Sequence, residues 1–322
     1  MDRYYFNGQR IISPSERLGN KGFRDGRKYW IKMYTDKASF THELEILNAI
    51  SSNNGVAKMI ESGIVDIVSD NGNSTTYHAI KEIYIGDKNI RSYCKCHYSE
   101  KEILGVFIQL SQTLAELEEK NTEEAVIHND LKPDNIIMSD DGHPVLIDFN
   151  ISKKVSEPLR KIHTQATEGF EAPEKKMNTI SIKSDIYSFG CVLKACMDQN
   201  PDAKRPDVYS SDLKSIKKKC TEEDPELRFG SFCDVKKALE ALKCKREITL
   251  ETARPKTSRA NINLKDFLFK HIQLFTTMLY GIGLFFLTLA LYMIFWGPTR
   301  PKGYTPSVKE DIAILINDIK NL

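Results

Sequence analysis

The chain has 322 residues, 41% apolar and 28% charged, with 17 Gly and 12 Pro. Those proportions support a packed core and exclude disordered, collagen-like and low-complexity classes. The 46 Lys+Arg and 44 Asp+Glu leave a net charge of only +2, which argues against a nucleic-acid partner.

No apolar run of about 7–15 residues follows Met1, so no cleavable signal peptide is expected. The first hundred residues read as strand-rich. Arg3–Phe6 and Gln9–Ile12 flank Asn7-Gly8, the pair that favours a type I′ hairpin turn. Lys28–Tyr34 is aromatic and β-branched, hence strand-like. Ala38–Ile50 places Phe40, Leu44, Leu47 and Ile50 near helical spacing. Ile60–Val68 and Thr76–Ile85 read as further strands.

Past Tyr98 the period changes. Ser99–Lys120 is a helix whose Ser99 and Glu102 form a capping box. Short strands follow at Ala125–Ile127, Ile136–Met138 and Val145–Ile147. The pattern is then mostly helical from Ile182 to Leu242. Strands first and helices later suggest an α+β domain with unlike halves.

Charge is segregated along the chain. Residues 1–242 carry 34 basic and 38 acidic side chains, net −4, whereas 243–270 carry 8 and 3, net +5. From His271 to Thr299 there is no charged residue, and Leu274–Trp296 spans a hydrocarbon core of about 30 Å as a helix. Tyr292 and Trp296 suit an interfacial belt. The basic collar places the N-terminal side in the cytoplasm and could rest on membrane lipid headgroups. Residues 297–322 carry 4 basic and 3 acidic side chains. Ser307 and Glu310 form another capping box there, opening a stripe of Val308, Ile312, Leu315, Ile316, Ile319 and Leu322. A homodimer through the span or the tail is one use of that stripe. A partner helix, an interfacial helix or a marginal helix are others.

The chemistry-bearing segment is His128-Asn129-Asp130-Leu131-Lys132-Pro133-Asp134-Asn135. Asp148-Phe149-Asn150 and then Ala172-Pro173-Glu174 follow. This order resembles the signature of eukaryotic-type (Hanks-type) Ser/Thr protein kinases: H-R-D-L-x-x-x-N, then D-F-G, then A-P-E. Asp185 matches the aspartate of the family's central buried helix, and Arg228 the arginine that pairs with the A-P-E glutamate. Lys32 falls at the ATP-phosphate lysine and Glu43 at its helical partner. The similarity covers about residues 15–242.

The resemblance implies a bilobal kinase fold, with a small β-rich N-lobe and a larger helical C-lobe; the charge-free stretch adds the expectation of one C-terminal transmembrane helix. The resemblance also implies ATP and Mg²⁺ as cofactors and a protein substrate with a Ser/Thr acceptor. Asp130 would orient the acceptor hydroxyl and take its proton, and Lys132 would stabilise the moving phosphate. Lys32, held by Glu43, would neutralise the α/β-phosphates. Asn135 and Asp148 would hold metal. Gly19 and Gly22 would line the phosphates, and Glu82 and Tyr84 the base. Lys132 and Thr167 match Ser/Thr rather than Tyr specificity. Aminoglycoside-type kinases share a His-x-Asp loop, but Ala172-Pro173-Glu174, Asp185 and Arg228 favour a protein substrate.

The departures converge on the nucleotide. Only 13 positions separate Gly19 from Lys32, Trp30 replaces the alanine above the base, and Lys81 stands before the hinge acid Glu82 where an apolar residue is usual. They motivate a rival reading, a membrane-anchored pseudokinase acting as a binding or regulatory module. Asn150 replaces a glycine, a mild change if the backbone there is left-handed. Asn129 replaces the arginine that pairs with a phosphorylated loop, so activity independent of such phosphorylation is expected. Ser152, Ser156, Thr164 and Thr167 remain candidate autophosphorylation sites. The division that results is a kinase domain at 1–243 (N-lobe about 1–85, C-lobe about 86–243) and a basic juxtamembrane linker at 244–270. A transmembrane helix at 271–297 and a short tail at 298–322 complete it. The protein is expected to be single-pass, with a cytoplasmic kinase domain and the tail on the opposite side.

Overall fold

The computed structural model describes residues 2–253 apart from 12–13, 19–21, 27, 120–123, 160–167 and 205–207. The charge-free stretch, most of the basic linker, the tail, Gly19, Thr164 and Thr167 lie outside those residues. Among the described residues no helix is long and apolar enough to cross a membrane.

Asn7 and Gly8 both adopt positive φ, +49° and +78°, the backbone a type I′ turn needs. They join β1 (Arg3–Phe6) to β2 (Gln9–Ile11). The next strands are β3 (Pro14–Leu18), β4 (Gly22–Asp25), β5 (Tyr29–Tyr34), β6 (Met59–Val68) and β7 (Ser74–Ile83). All seven form one sheet in the order β2-β1-β6-β7-β5-β4-β3. The sheet curls on itself: Tyr4 of β1 and Phe23 of β4 lie four strands apart, yet their rings are 4.8 Å apart. Phe6, Ile11, Ile31, Met33, Val65, Ile67 and Ala79 complete this small core.

Register decides what each strand offers the cleft. Opposed residues of an antiparallel pair share a face, and successive residues alternate faces. Gly22, Lys32 and Ile80 make one cross-strand row, and Arg24, Trp30 and Glu82 the next row on that face. Phe23, Ile31 and Lys81 belong to the other face.

Helix α1 (Lys37–Ala49) is capped by Asp36, whose carboxylate accepts from the Ser39 N–H at 2.8 Å. It buries His42, Glu43, Ile46 and Leu47. The second half of the domain starts with the short α2 (Ile90–Cys94) and α3 (Glu100–Glu119). The expected capping box is present: Ser99 N–H donates to Glu102 at 3.1 Å and Glu102 N–H to Ser99 Oγ at 3.3 Å. After β8 (Val126–Ile127), the hairpin β9 (Ile136–Met138) and β10 (Pro144–Leu146) carries the chemistry-bearing loops. Strand β11 (Lys153–Lys154) pairs with β8. Helices α4 (Ile182–Met197), α5 (Ser211–Cys220) and α6 (Phe232–Ala253) follow. Phe107, Phe189 and Phe232 join α3, α4 and α6 through edge-on ring contacts at 5.2 and 5.7 Å. Met1–Glu251 is one compact unit, and α6 runs on past residue 243 into the segment expected to be linker.

Candidate active site

The deepest charges are organised around Lys32. Its ammonium lies 2.8 Å from both oxygens of Glu43 and 2.5 Å from Asp148 Oδ1. Glu43, wholly buried on α1, also accepts from the Tyr34 hydroxyl at 2.7 Å and the Phe149 N–H at 3.1 Å. Burial disfavours the Lys32 ammonium, but Glu43, Asp148 and Glu82 outweigh it and raise its pKa. Burial likewise works against ionised Asp148, and Lys32 reverses the balance, lowering that pKa. Both groups are therefore charged at neutral pH. Tyr34 is pushed up by burial and then by Glu43, so it serves Glu43 as a proton donor.

The loop 128–135 is fixed from below by α4. Asp185 accepts the backbone N–H groups of His128 at 2.6 Å and Asn129 at 2.8 Å. The His128 ring packs on buried Phe149 at 4.7 Å. Asp130 Oδ2 accepts from Lys132 Nζ at 2.7 Å and from Asn135 Nδ2 at 2.9 Å. The Ile147 N–H donates to the Asn135 carbonyl at 3.0 Å, which sets Asn135 beside the start of the Asp148 loop. Left-handed backbone falls on Asn129 (φ +68°) and Asp148 (φ +63°), not on Asn150. Asn129 suits that conformation because Asn tolerates it better than most residues. Ser152 is fully buried, and its hydroxyl donates to the His128 carbonyl at 2.8 Å, so it is structural rather than an exposed acceptor.

Lys81 corrects the sequence reading. It was expected at the pocket wall before Glu82. Period-two alternation turns it to the opposite face, where its ammonium lies 3.2 Å from Asp25 and 4.3 Å above the Tyr29 ring. Glu82, expected at the base, does line the cleft. Arg24, Trp30, Lys32, Glu82, Tyr84, Asp87, Ile137, Ile147 and Asp148 are among the residues around a cavity of about 600 Å³. Arg24 reaches across its mouth, donating to Asp87 at 2.6 Å and to the Tyr84 hydroxyl at 2.5 Å. Neither Arg24 nor Asp87 is among the residues that the sequence placed at the base. The signal was β-strand alternation from Lys32, hidden because β3 and β4 were not recognised as strands.

Gly22 lies at the start of β4. A Cβ there would sit 2.5 Å from the Ile31 carbonyl and 2.8 Å from the Trp30 ring. The need for glycine at this position is therefore met already by Trp30 and the β5 backbone.

Farther from the cleft, Arg228 makes two parallel bonds to Glu174, at 2.8 and 2.9 Å, and Ser184 adds a third at 2.8 Å. This fork ties the 3₁₀ turn Pro173–Met177 to α4 and to the loop before α6.

Among the described residues no three His, Cys, Asp or Glu side chains gather into a metal-only cage. The donor set nevertheless fits Mg²⁺, which accepts few protein oxygens and takes the rest from water and phosphate. Asp148 offers a carboxylate. Asn135 uses its amide nitrogen on Asp130, so its amide oxygen is the end a cation would take.

Residues 24–243 match the Protein kinase domain family. The match begins just after the shortened loop. Among curated proteins, the chain is 32% identical over 133 residues to "Dual specificity protein kinase zak2" of Dictyostelium discoideum, covering 37% of this chain and 20% of that protein. It is 27% identical over 207 residues to "Probable serine/threonine-protein kinase fnkE" of the same organism, covering 60% and 15%. It is 28% identical over 193 residues to "Probable serine/threonine-protein kinase MRK1 homolog" of Encephalitozoon cuniculi, covering 58% and 56%. The chain thus spans a fifth or less of the length of the first two and just over half of the third. With the family match extending over two thirds of its length, the chain belongs to the protein kinase domain family.

Proposed function

We propose that the protein is a membrane-tethered serine/threonine kinase that transfers the ATP γ-phosphate to a Ser or Thr hydroxyl of a protein. The observation that carries this is the Lys32 ammonium held between Glu43 and Asp148, with Asp130 and Asn135 bonded to each other in the neighbouring loop. Mg²⁺, when bound, would neutralise phosphate charge at Asp148 and Asn135. Lys32 holds phosphate oxygens through its charge, and Glu43 fixes where that charge sits. Asp130 orients the acceptor hydroxyl and receives its proton. Lys132, 2.7 Å from Asp130, adds positive charge where the phosphoryl group passes.

The anchoring part rests on the charge-free stretch at 271–299 and the basic collar before it. The reading places the kinase domain in the cytoplasm, the collar on anionic lipid heads and the tail on the other side, with dimerisation through the span or tail as a further element. Protease added outside sealed right-side-out cells should clip residues 300–322 and spare 1–270. Clipping within 1–253 would reject the topology.

The catalytic part is tested by γ-phosphate transfer from MgATP to a protein acceptor by the 322-residue chain. The cationic, aromatic and acidic row Arg24–Trp30–Glu82 favours a second reading, a kinase-fold binding module. Absence of both MgATP binding and transfer would establish that reading and reject the enzyme.

A further inference from the structure

Among the described residues of the nucleotide cleft, one carboxyl group keeps an oxygen that its own surroundings do not use. Glu82 is 6% exposed, and its Oε1 is buried without a hydrogen-bond partner. Every neighbouring carboxylate is differently placed: Glu43 accepts from three donors and Asp148 from Lys32. A buried acceptor left without a donor is costly, and native proteins seldom keep one without a use. Glu82 stands beside Trp30 in the same cross-strand row, and both line the cavity. Ile137 and Ile147 line it from β9 and from just past β10. A flat heteroaromatic ring between Trp30 and these isoleucines would present its edge to Glu82.

We propose that Glu82 is a specificity-determining residue of the cleft: it selects a purine nucleotide that carries an exocyclic amine, whose N–H donates to Oε1. The inference rests on the nucleotide-binding reading above. Its chemistry follows from the state of the group. Burial, reinforced by Glu43, pushes Glu82 up to about 8, so at neutral pH it is mainly an undissociated acid. An undissociated carboxyl offers an acceptor and an O–H donor side by side. An aminopurine edge offers the complement, an N–H next to a ring nitrogen. A site built to meet a hydrogen-bonding group rejects the analogue that lacks it, because the site's own polar group is then stranded.

The test is equilibrium binding of four magnesium triphosphates to the 322-residue chain. ATP is paired with purine riboside triphosphate, which lacks the 6-amine, and GTP with ITP, which lacks the 2-amine. In the wild type one amine-bearing member should bind at least about tenfold tighter than its partner. Glu82→Met and Glu82→Leu, which remove the carboxyl and leave an apolar side chain, should bring that ratio close to one. Glu82→Gln, which keeps the shape and an acceptor oxygen, should restore part of it. Ratios near one in the wild type, or ratios unchanged in Glu82→Met and Glu82→Leu, would overturn the inference while leaving the nucleotide site standing. Failure of the wild type to bind any of the four would reject both.

Discussion

The two ends of the cleft are built by opposite rules. At the phosphate end, among the described residues, the charges are met by opposite charges, a side-chain amide or backbone donors: Lys32 with Glu43 and Asp148, Asp130 with Lys132 and Asn135, Asp185 with two N–H groups. At the base end, Arg24 is spent on Asp87 and Tyr84 across the mouth, Trp30 fills the space over Gly22, and Glu82 keeps an oxygen without a donor. Phosphoryl transfer leaves little freedom in residue type, because each group must neutralise or position a specific charge. A base can be gripped in many ways, so that end can be rebuilt without touching the chemistry.

The sharpest break of this comparison is Asp130→Asn. The substitution keeps the shape and removes the proton acceptor. Transfer should fall by about 10²–10⁴-fold, with MgATP affinity unchanged in a direct binding measurement. A comparable loss of binding would show that the two ends are not separable.

Next in size is Lys32→Met. It leaves Glu43, wholly buried, with no cation. Removing one member of a buried ion pair costs about 3–5 kcal/mol, so the melting temperature should drop on the order of 10 °C for a domain of this size. Lys32→Met/Glu43→Gln should recover part of that stability without recovering transfer. If the double variant is no more stable than Lys32→Met, the penalty is not the stranded carboxylate.

Glu82→Gln bears on stability through pH. The folded-state pKa of Glu82, about 8, lies above that of a solvated carboxyl. The folded protein then binds a proton that the unfolded chain has lost, and stability falls as pH rises from the ordinary carboxylate range through about 8. The glutamine variant lacks that loss. Its melting temperature relative to wild type should therefore be higher at pH 8.5 than at pH 6; an equal difference at both would place the titration elsewhere.

Gly22→Ala sharpens the assignment of the loop. Its Cβ would press on the Ile31 carbonyl and the Trp30 ring, and overpacking of that kind costs about 1–3 kcal/mol. A lower melting temperature even without nucleotide, eased by Trp30→Ala, is the expected result. An effect seen only on nucleotide affinity would return Gly22 to a phosphate role.

The phosphate end was legible in the sequence because its residues are adjacent or lie at fixed offsets: Asp130, Lys132 and Asn135 in one loop, Asp148 at the mouth of the next. Glu174 and Arg228, though 54 positions apart, were also paired correctly, by family likeness rather than by spacing. The hairpin at Asn7-Gly8 and the box at Ser99/Glu102 were readable from local turn and cap chemistry. The base end was legible only in part. Trp30, Glu82 and Tyr84 line the cavity as the family likeness implied, but the faces of β4, β5 and β7 depend on register, and Lys81 was set beside Glu82 at the base although it belongs to the opposite face. With β3 and β4 unrecognised, no alternation was available to place Arg24 over the cleft.

The smallest expected effect is none at all. In relatives with an arginine before the catalytic aspartate, a phosphate on the following segment supplies the counter-charge that orders it. Here Asn129 is fully buried, and its side-chain amide donates to the Ile151 carbonyl at 2.9 Å. From the far end of the same segment, Lys175 donates to the Asn129 carbonyl. Burial lowers the Lys175 pKa while Asp185, Asp130, Glu171 and Glu174 oppose the shift. Residues 151 and 175 are thus both tied to position 129 by bonds that need no phosphate. Phosphatase treatment should leave the transfer rate unchanged, whereas Lys175→Met should lower kcat and Lys175→Arg restore part of it. A rate that collapses after dephosphorylation would mean that these two bonds do not suffice to hold the segment, and that charge from a modified side chain completes the site.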